Sequence, residues 1–433
     1  MTRSNYSARF VPWVLMARHA RAFTAIAVLA FFGSRSAAAQ DSPGVLTLRQ
    51  AVALALERSP DLAGFSAEAR ASEARQVQAG VRPNPAATAD FEDFAGSGNF
   101  RGASQMQTTL RLGSLIELGG KRGRRRETAE AAHDLARSEY DLERTDVLAE
   151  VTQRFITVVS AQDVLALARE STASLDEALR IVRQRVEAGR TSALEEKKAA
   201  VALARSRIEE QSAERDLAGA RMRLASSWGD ATPGFDRAEA DLFALETLPA
   251  LDTLLARVAD SPEIARFATE KRLRESEIWL ARAKGAPDAT FGAGVRRVED
   301  SGDHAFVAGV TLPLPLFDRN RGGVAEAQAV LEKTEAAQRA AENRWRARLS
   351  GLYQDLLTSS LEVEATRREI LPQAEEALRI AEQGFREARY SYLELADAQR
   401  TLRDVRRQLL AAATTYHLVV SEIERLTGNA LIP

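Results

Sequence analysis

The side chains that could do chemistry are few, and their spacing does not assemble a site. Of four histidines, His19 lies in the first forty residues, while His133, His304 and His417 fall in separate segments without the one-turn spacing of a helical metal pair. Met106 and Met222 are the remaining soft ligands, and with no cysteine there is neither a thiolate site nor a disulfide. The run Lys121-Arg122-Gly123-Arg124-Arg125-Arg126 follows a strand like a phosphate loop, but Leu115 stands where that motif needs glycine and Arg122 where it needs Ser or Thr. We find no nucleophile elbow, ligand cluster or glycine-rich phosphate cradle. An enzyme is therefore the least expected class, and no cofactor, catalytic residue or bound metal is expected. The run at 121–126 is expected to form a basic collar, solvated or facing headgroups. A net charge of −2, with both signs interspersed along helix faces, gives no reason to expect nucleic acid.

What remains must act through architecture, and the chain states its architecture twice, about 200 residues apart. Ser59-Pro60-Asp61-Leu62-Ala63 returns as Ser261-Pro262-Glu263-Ile264-Ala265, and Pro85-Ala86-Ala87-Thr88 as Pro287-Asp288-Ala289-Thr290. Gly119-Gly120-Lys121-Arg122 corresponds to Arg319-Asn320-Arg321-Gly322, and Glu177-Ala178-Leu179-Arg180-Ile181 to Glu376-Ala377-Leu378-Arg379-Ile380. The expected division is a signal segment at 1–39, a first repeat at 40–229, a linker at 230–249 and a second repeat at 250–433. Arginines, a short apolar run and Ala37-Ala38-Ala39 make residues 1–39 a secretory signal peptide, cleaved after Ala39. Past it no segment is apolar and long enough for a membrane-spanning helix.

Each repeat opens on a helix, 48–78 and 251–283, broken near its start at the Ser-Pro pair and ended by proline. The period then changes to two. Met106, Thr108, Leu110 and Leu112 share one mostly apolar face, Gln107, Thr109 and Arg111 the other; Phe306, Ala308, Val310 and Leu312 repeat the pattern. Strands are expected at about 86–94, 104–118, 288–298 and 304–316, making two hairpins. Such weak alternation fits a membrane barrel with a lipid face and a wet face, and four strands cannot close one.

A proline-free helix follows over about 120–188, roughly 100 Å long at 1.5 Å per residue. Its apolar seam runs from Leu148 through Phe155, Leu165 and Leu175 to Val186 at spacings of three and four, with alanines on a second face. Helices that are adhesive on two faces pack side by side into tubes. The helix reverses at Ala188-Gly189-Arg190-Thr191-Ser192 and returns at half length. The second copy runs from about 323, kinked at Pro372, and reverses at Arg389-Tyr390-Ser391.

These pieces resemble the TolC-type outer-membrane efflux protein family over nearly the whole mature chain. The phrases that carry the resemblance are Leu46-Thr47-Leu48, Arg82-Pro83-Asn84-Pro85, Ile116-Glu117-Leu118-Gly119-Gly120-Lys121-Arg122, Val186-Glu187-Ala188-Gly189 and Glu424-Arg425-Leu426-Thr427-Gly428. The second and third are similar to the branch serving cobalt, zinc and cadmium efflux. The resemblance implies a mainly α fold with a small β part: a long-helix α-barrel, and an outer-membrane β-barrel shared by a homotrimer, four strands per chain and twelve in all. It implies a periplasmic adaptor and an inner-membrane RND-type pump as partners, outer-membrane lipid around the strands, and an iris at the periplasmic end. Lacking a lipidated cysteine, the chain is expected to be held in the outer membrane of a Gram-negative bacterium by its barrel alone.

Adaptor docking is expected at the two tips, Gly189, Arg190, Thr191, Ser192 and Leu194 with Arg389, Tyr390, Ser391 and Leu393. Ala388 stands where a glycine is usual, which leaves that turn's shape open. Glu187, Glu195, Glu382, Glu387 and Glu394 lie near the tips, but periodicity does not say which of them face a lumen. Two other readings stay open on the residues alone: a duct for drugs or secreted proteins, and a soluble periplasmic coiled-coil adaptor or scaffold.

Overall fold

The computed structural model describes residues 44–246, 249–258 and 261–428; the expected signal peptide lies outside them. In chain order the elements are β1 (Val45–Thr47), α1 (Leu48–Arg58), α2 (Pro60–Ala79), β2 (Ala86–Glu92), β3 (Gln107–Ile116), α3 (Lys121–Glu187) and α4 (Ala193–Ser226). After these come β4 (Arg237–Glu239), α5 (Leu251–Val258), α6 (Pro262–Lys284), β5 (Ala289–Val298) and β6 (His304–Thr311). The chain ends with α7 (Arg321–Ala365), a π-helical turn (Thr366–Ile370), α8 (Leu371–Arg386) and α9 (Tyr392–Thr427). The fold is mainly helical with a small sheet component, as expected.

Local chemistry sets the boundaries. Thr47 and Gln50 form a reciprocal capping box on α1, with Thr47 N–H to Gln50 Oε1 at 2.9 Å, and α2 and α6 both start on a proline, whose missing N–H is harmless at a first helical position. The long helix is one uninterrupted element of 67 residues, about 100 Å. In the second copy Pro372 sits just past the π turn. Proline removes a backbone donor and crowds the preceding turn, and one wider turn accommodates it where a kink is expected. Gly120 and Asn320, the residues before α3 and α7, both take left-handed backbone, φ 72° and 56°, a conformation that glycine and then asparagine tolerate best.

The sheet order is β2-β3-β5-β6, antiparallel throughout, so β3 and β5 knit the two hairpins and β2 and β6 are the edges. The register puts Ala89, Leu110, Val295 and Phe306 in one row and Asp90, Thr109, Arg296 and Ala305 in the next. Three strands are shorter than expected, β3 spanning Gln107–Ile116 where 104–118 is expected. β2 ends at Glu92 because Asp93 and Ala95 turn with positive φ, and β6 ends at Thr311 because Pro313 and Pro315 cannot donate to a ladder. The expected total of four strands is corrected to six among the described residues, because β4, inside the expected linker, pairs parallel with β1.

α3 is the central strut. It packs on α2, α6, α4 and α9, and α9 in turn packs on α7 and α8. The seam of α3 is buried at Val151, Phe155, Val158, Leu165, Leu175, Leu179 and Val182. Its one polar member near the linker, Gln162, exchanges two 2.8 Å hydrogen bonds with the backbone of Ala238. α4 buries Ala199, Leu203, Ala213, Leu217 and Leu224 against α3, and leaves Leu194, Val201, Ile208 and Met222 exposed at multiples of seven. It is therefore apolar on two faces, with one of them uncovered.

Candidate functional site

Both reversals lie at one end of the helical layer, where Leu175, Ala178, Leu179, Val182, Ala199 and Leu203 share a core with Ala381, Phe385, Tyr392 and Leu395. The structure thus brings the two sets of expected tip residues together. In the first turn Gly189 has φ 69°, its N–H reaches Val186 O at 2.9 Å and that of Arg190 reaches Arg185 O at 2.8 Å. The second turn reproduces this pattern: Ala388 has φ 60°, its N–H reaches Phe385 O at 3.1 Å and that of Arg389 reaches Gly384 O at 2.8 Å. The departure from glycine at Ala388 therefore changes the strain of the turn, not its shape.

Leu194 and Leu393 project from the tips at 62% and 63% exposure. Ser391 is pinned by Glu394, whose Oε2 accepts from Ser391 N at 2.6 Å and from its hydroxyl at 3.0 Å. At the first tip Thr191 donates instead, to Glu195 Oε2 at 2.5 Å. Sequence reasoning missed the residues that couple the tips. Arg185 donates to Phe385 O and lies over its ring, 4.1 Å from the centroid. The Tyr390 ring rests on Gly384, where any Cβ would collide with it. The repeat alignment, which matches Arg185 with Gly384 and Val186 with Phe385, is the signal that could have pointed there.

At the other end the sheet is two-faced. Phe91, Leu110, Leu112, Phe291, Val295, Phe306 and Val310 stand on one face and are exposed, Phe306 at 94%. On the opposite face Arg296 donates to Thr109 Oγ1 at 3.0 Å and pairs with Glu92 at 3.3 Å. No described helix is long and apolar enough to cross a membrane.

Between sheet and helices the basic run is a brace and not a free collar. Lys121 binds Asp288 at 2.8 Å, Arg122 Nε donates to Gly80 O at 2.6 Å, and Arg125 grips Glu117 through both guanidinium ends, one at 3.0 Å. Arg124 pairs with Glu127 at 2.7 Å and covers Trp279. The Arg125 hydrogen bond holds the Glu117 carboxyl below its ordinary value. Burial pushes Asp288 upward, but Lys121 and the Leu118 N–H outweigh it and leave it lowered. The collar expectation fails because these cations lie beside carboxylates and helix-end carbonyls that would otherwise be unpaired.

Residues 237–246 strap the helices at mid-length. Besides Gln162, Tyr416 donates to Glu246 O at 2.6 Å, His417 Nε2 lies 3.0 Å from Leu242 O, and Arg367 of the π turn reaches Phe243 O at 3.4 Å. Burial lowers the His417 pKa. His133 bonds Ser72 at 2.8 Å and His304 begins β6, so the histidines hold structure in separate places. No group of three or more His, Cys, Asp or Glu among the described residues is placed to hold a metal ion.

A two-faced sheet with an uncovered apolar side, continued by helices of about 100 Å, defines a membrane-anchored conduit. The model of the outer membrane efflux protein family matches residues 51–230 and 255–429, and the chain belongs to that family. It is similar to the cobalt-zinc-cadmium resistance protein CzcC of Cupriavidus metallidurans, 31% identical over 90% of this chain and 92% of that one. It is also similar to the nickel-cobalt-cadmium resistance protein NccC of Alcaligenes xylosoxydans, 29% identical over 70% of this chain and 66% of that one. The fold matches the crystal structure of the outer membrane protein VceC from Vibrio cholerae with TM-score 0.72 and 18% identity, covering 89% and 97% of the two chains. The protein is an outer-membrane efflux duct extending into the periplasm, and it transports without catalysing a reaction.

Proposed function

We propose that three copies of this chain form one exit duct for divalent heavy-metal cations. The observation that carries the reading is the two-faced sheet with both edges, β2 and β6, unpaired. In lipid an open edge leaves backbone groups unsatisfied at several kcal/mol each, and a head-to-tail ring removes every edge. Three four-stranded sheets give a twelve-stranded barrel. The uncovered stripe on α4, Leu194, Val201, Ile208 and Met222, supports a second copy packing alongside the helical layer.

The two family matches, 51–230 and 255–429, support the division into repeats 40–229 and 250–433 around a linker at 230–249, after a signal at 1–39. On this reading a periplasmic adaptor docks on Gly189, Arg190, Thr191, Ser192 and Leu194 with Arg389, Tyr390, Ser391 and Leu393, and an inner-membrane RND-type pump supplies the cargo. The iris lies at that same end. The metal cargo is supported by the names of the relatives CzcC and NccC.

Deleting the gene is expected to lower tolerance to zinc, cobalt or cadmium; unchanged tolerance to all three overturns the cargo, and a monomer in detergent overturns the ring. The double variant Leu194→Glu, Leu393→Glu alters exposed side chains outside the turn hydrogen bonds. It is expected to abolish efflux while trimers still assemble, and normal efflux from those trimers removes the docking role.

A further inference from the structure

The strand-lined segment carries four ionisable side chains on its polar face: Asp90, Glu92, Arg111 and Arg296, as the register assigns them. Glu92 and Arg296 neutralise each other at 3.3 Å. Among the described residues Arg111 and Asp90 have no ion-pair partner. Arg111 sits at mid-strand, opposite Thr88 on β2 and Gly294 on β5.

Its placement is built by glycine. A Cβ at Gly292 would lie 3.0 Å from Arg111 Cδ, so the arginine stem passes over β5 where that position lacks a side chain, and at Gly294 a Cβ would lie 2.1 Å from Leu110 O, so glycine there lets the β3 backbone approach. The neighbours along β3, Leu110 and Leu112, point to the apolar face and are exposed there. An arginine on the lipid face at that depth would cost about 2–4 kcal/mol; on the opposite face it faces water, in the barrel interior.

We propose that Arg111 is the residue that keeps the strand-lined segment from binding the cations it passes. This rests on the duct reading above. With Arg111 present the polar face is balanced, two positive and two negative groups per chain. Without it each chain contributes an uncompensated Asp90, and the ring repeats that charge around one water column. Carboxylate rings make cation-binding sites, and conduction requires that a site be weak enough to leave. A divalent ion would feel such a ring most strongly, so the balancing cation lets cargo of that charge class pass.

The test is the full-length purified trimer in planar bilayers, comparing wild type with Arg111→Gln, Arg111→Lys and Thr88→Glu. The last puts a carboxylate directly opposite the guanidinium and makes the same net change without removing it. Arg111→Gln and Thr88→Glu are expected to raise the K⁺/Cl⁻ permeability ratio about two- to threefold, and to acquire block of the K⁺ current by millimolar Co²⁺. Arg111→Lys is expected to keep the wild-type ratio and remain unblocked. Conducting channels with an unchanged ratio in either neutralised variant overturn the role of Arg111 and leave the duct intact. Absence of any conductance from wild type overturns the duct reading itself.

Discussion

The two hairpin turns offer reciprocal substitutions in one backbone geometry. Gly189 and Ala388 occupy the same left-handed position, φ 69° and 60°, each donating its N–H to the carbonyl three residues back. A left-handed L-residue costs about 1–2 kcal/mol. Nothing lies within 4 Å of a Cβ built on Gly189, so Gly189→Ala adds this backbone strain with no collision, reduced by the ~0.4–1 kcal/mol that the less flexible unfolded alanine returns. The net expectation is destabilisation of the first tip by about 1 kcal/mol, and stabilisation of the second by a similar amount in Ala388→Gly. One kcal/mol is roughly fivefold in a local opening equilibrium. Amide hydrogen exchange of the detergent-solubilised protein, followed on peptides covering 185–195 and 384–394, reads both changes. Exchange should quicken about fivefold at the first tip in one variant and slow about fivefold at the second in the other. Shifts of the same sign, or none, would refute the inference that strain separates two turns of equal shape.

Three further outcomes concern the contacts that join the elements. Gln162→Ala leaves the Ala238 N–H and C=O without their 2.8 Å partners, a loss of about 1–3 kcal/mol per unsatisfied buried group, and limited proteolysis should cut the strap at 237–246 faster. Acid should act on the same strap. The folded pKa of His417 is lowered by burial, against the opposing pull of Leu242 O, Asp241 and Glu246, so the unfolded chain takes up the proton first. The stability from the neutral ring is complete above the ordinary value of 6.5 and is lost as pH falls from there toward the folded value; His417→Gln should flatten that protease-sensitivity profile. Finally, Arg185→Lys keeps the charge but not the planar stacking over Phe385, and should raise hydrogen exchange at 384–390 nearly as much as Arg185→Ala; full protection in the lysine variant would show that charge alone joins the tips.

The elements that were legible are those written in a local period. The 67-residue α3 follows from an apolar seam without proline, and the sheet rows follow from alternation, because one face of each must meet apolar surroundings. The turns were legible from Gly189, whose type matches its left-handed backbone, and Ser391, which forms a capping box with Glu394, whereas at the first tip the cap residue Ser192 makes no side-chain cap hydrogen bond. β1 and β4 were not, since three-residue strands carry no period, and their parallel pairing joins positions some 190 residues apart. The basic run misled for a related reason. Charge density at 121–126 is visible in one dimension, while the partners Asp288 and Gly80 O that absorb it come from elsewhere in the chain.

The same distinction explains why the functional surface resists reading as a site. A catalytic centre concentrates residues whose types announce themselves, but a duct works by what its walls leave unpaired: the edges of β2 and β6, the outer stripe of α4, and Arg111 without a carboxylate among the described residues. Each is unremarkable as a residue type and becomes informative only when topology shows that nothing in the same chain covers it. In the proposed trimer the edges and the stripe are covered by further copies of the chain, because head-to-tail closure satisfies both an exposed strand edge and an exposed heptad line. Arg111 calls for water, because its row is opposite to Leu110 and Leu112. In the proposed ring, closure pairs the edges of β2 and β6 and a wet interior solvates Arg111, so one arrangement meets both requirements.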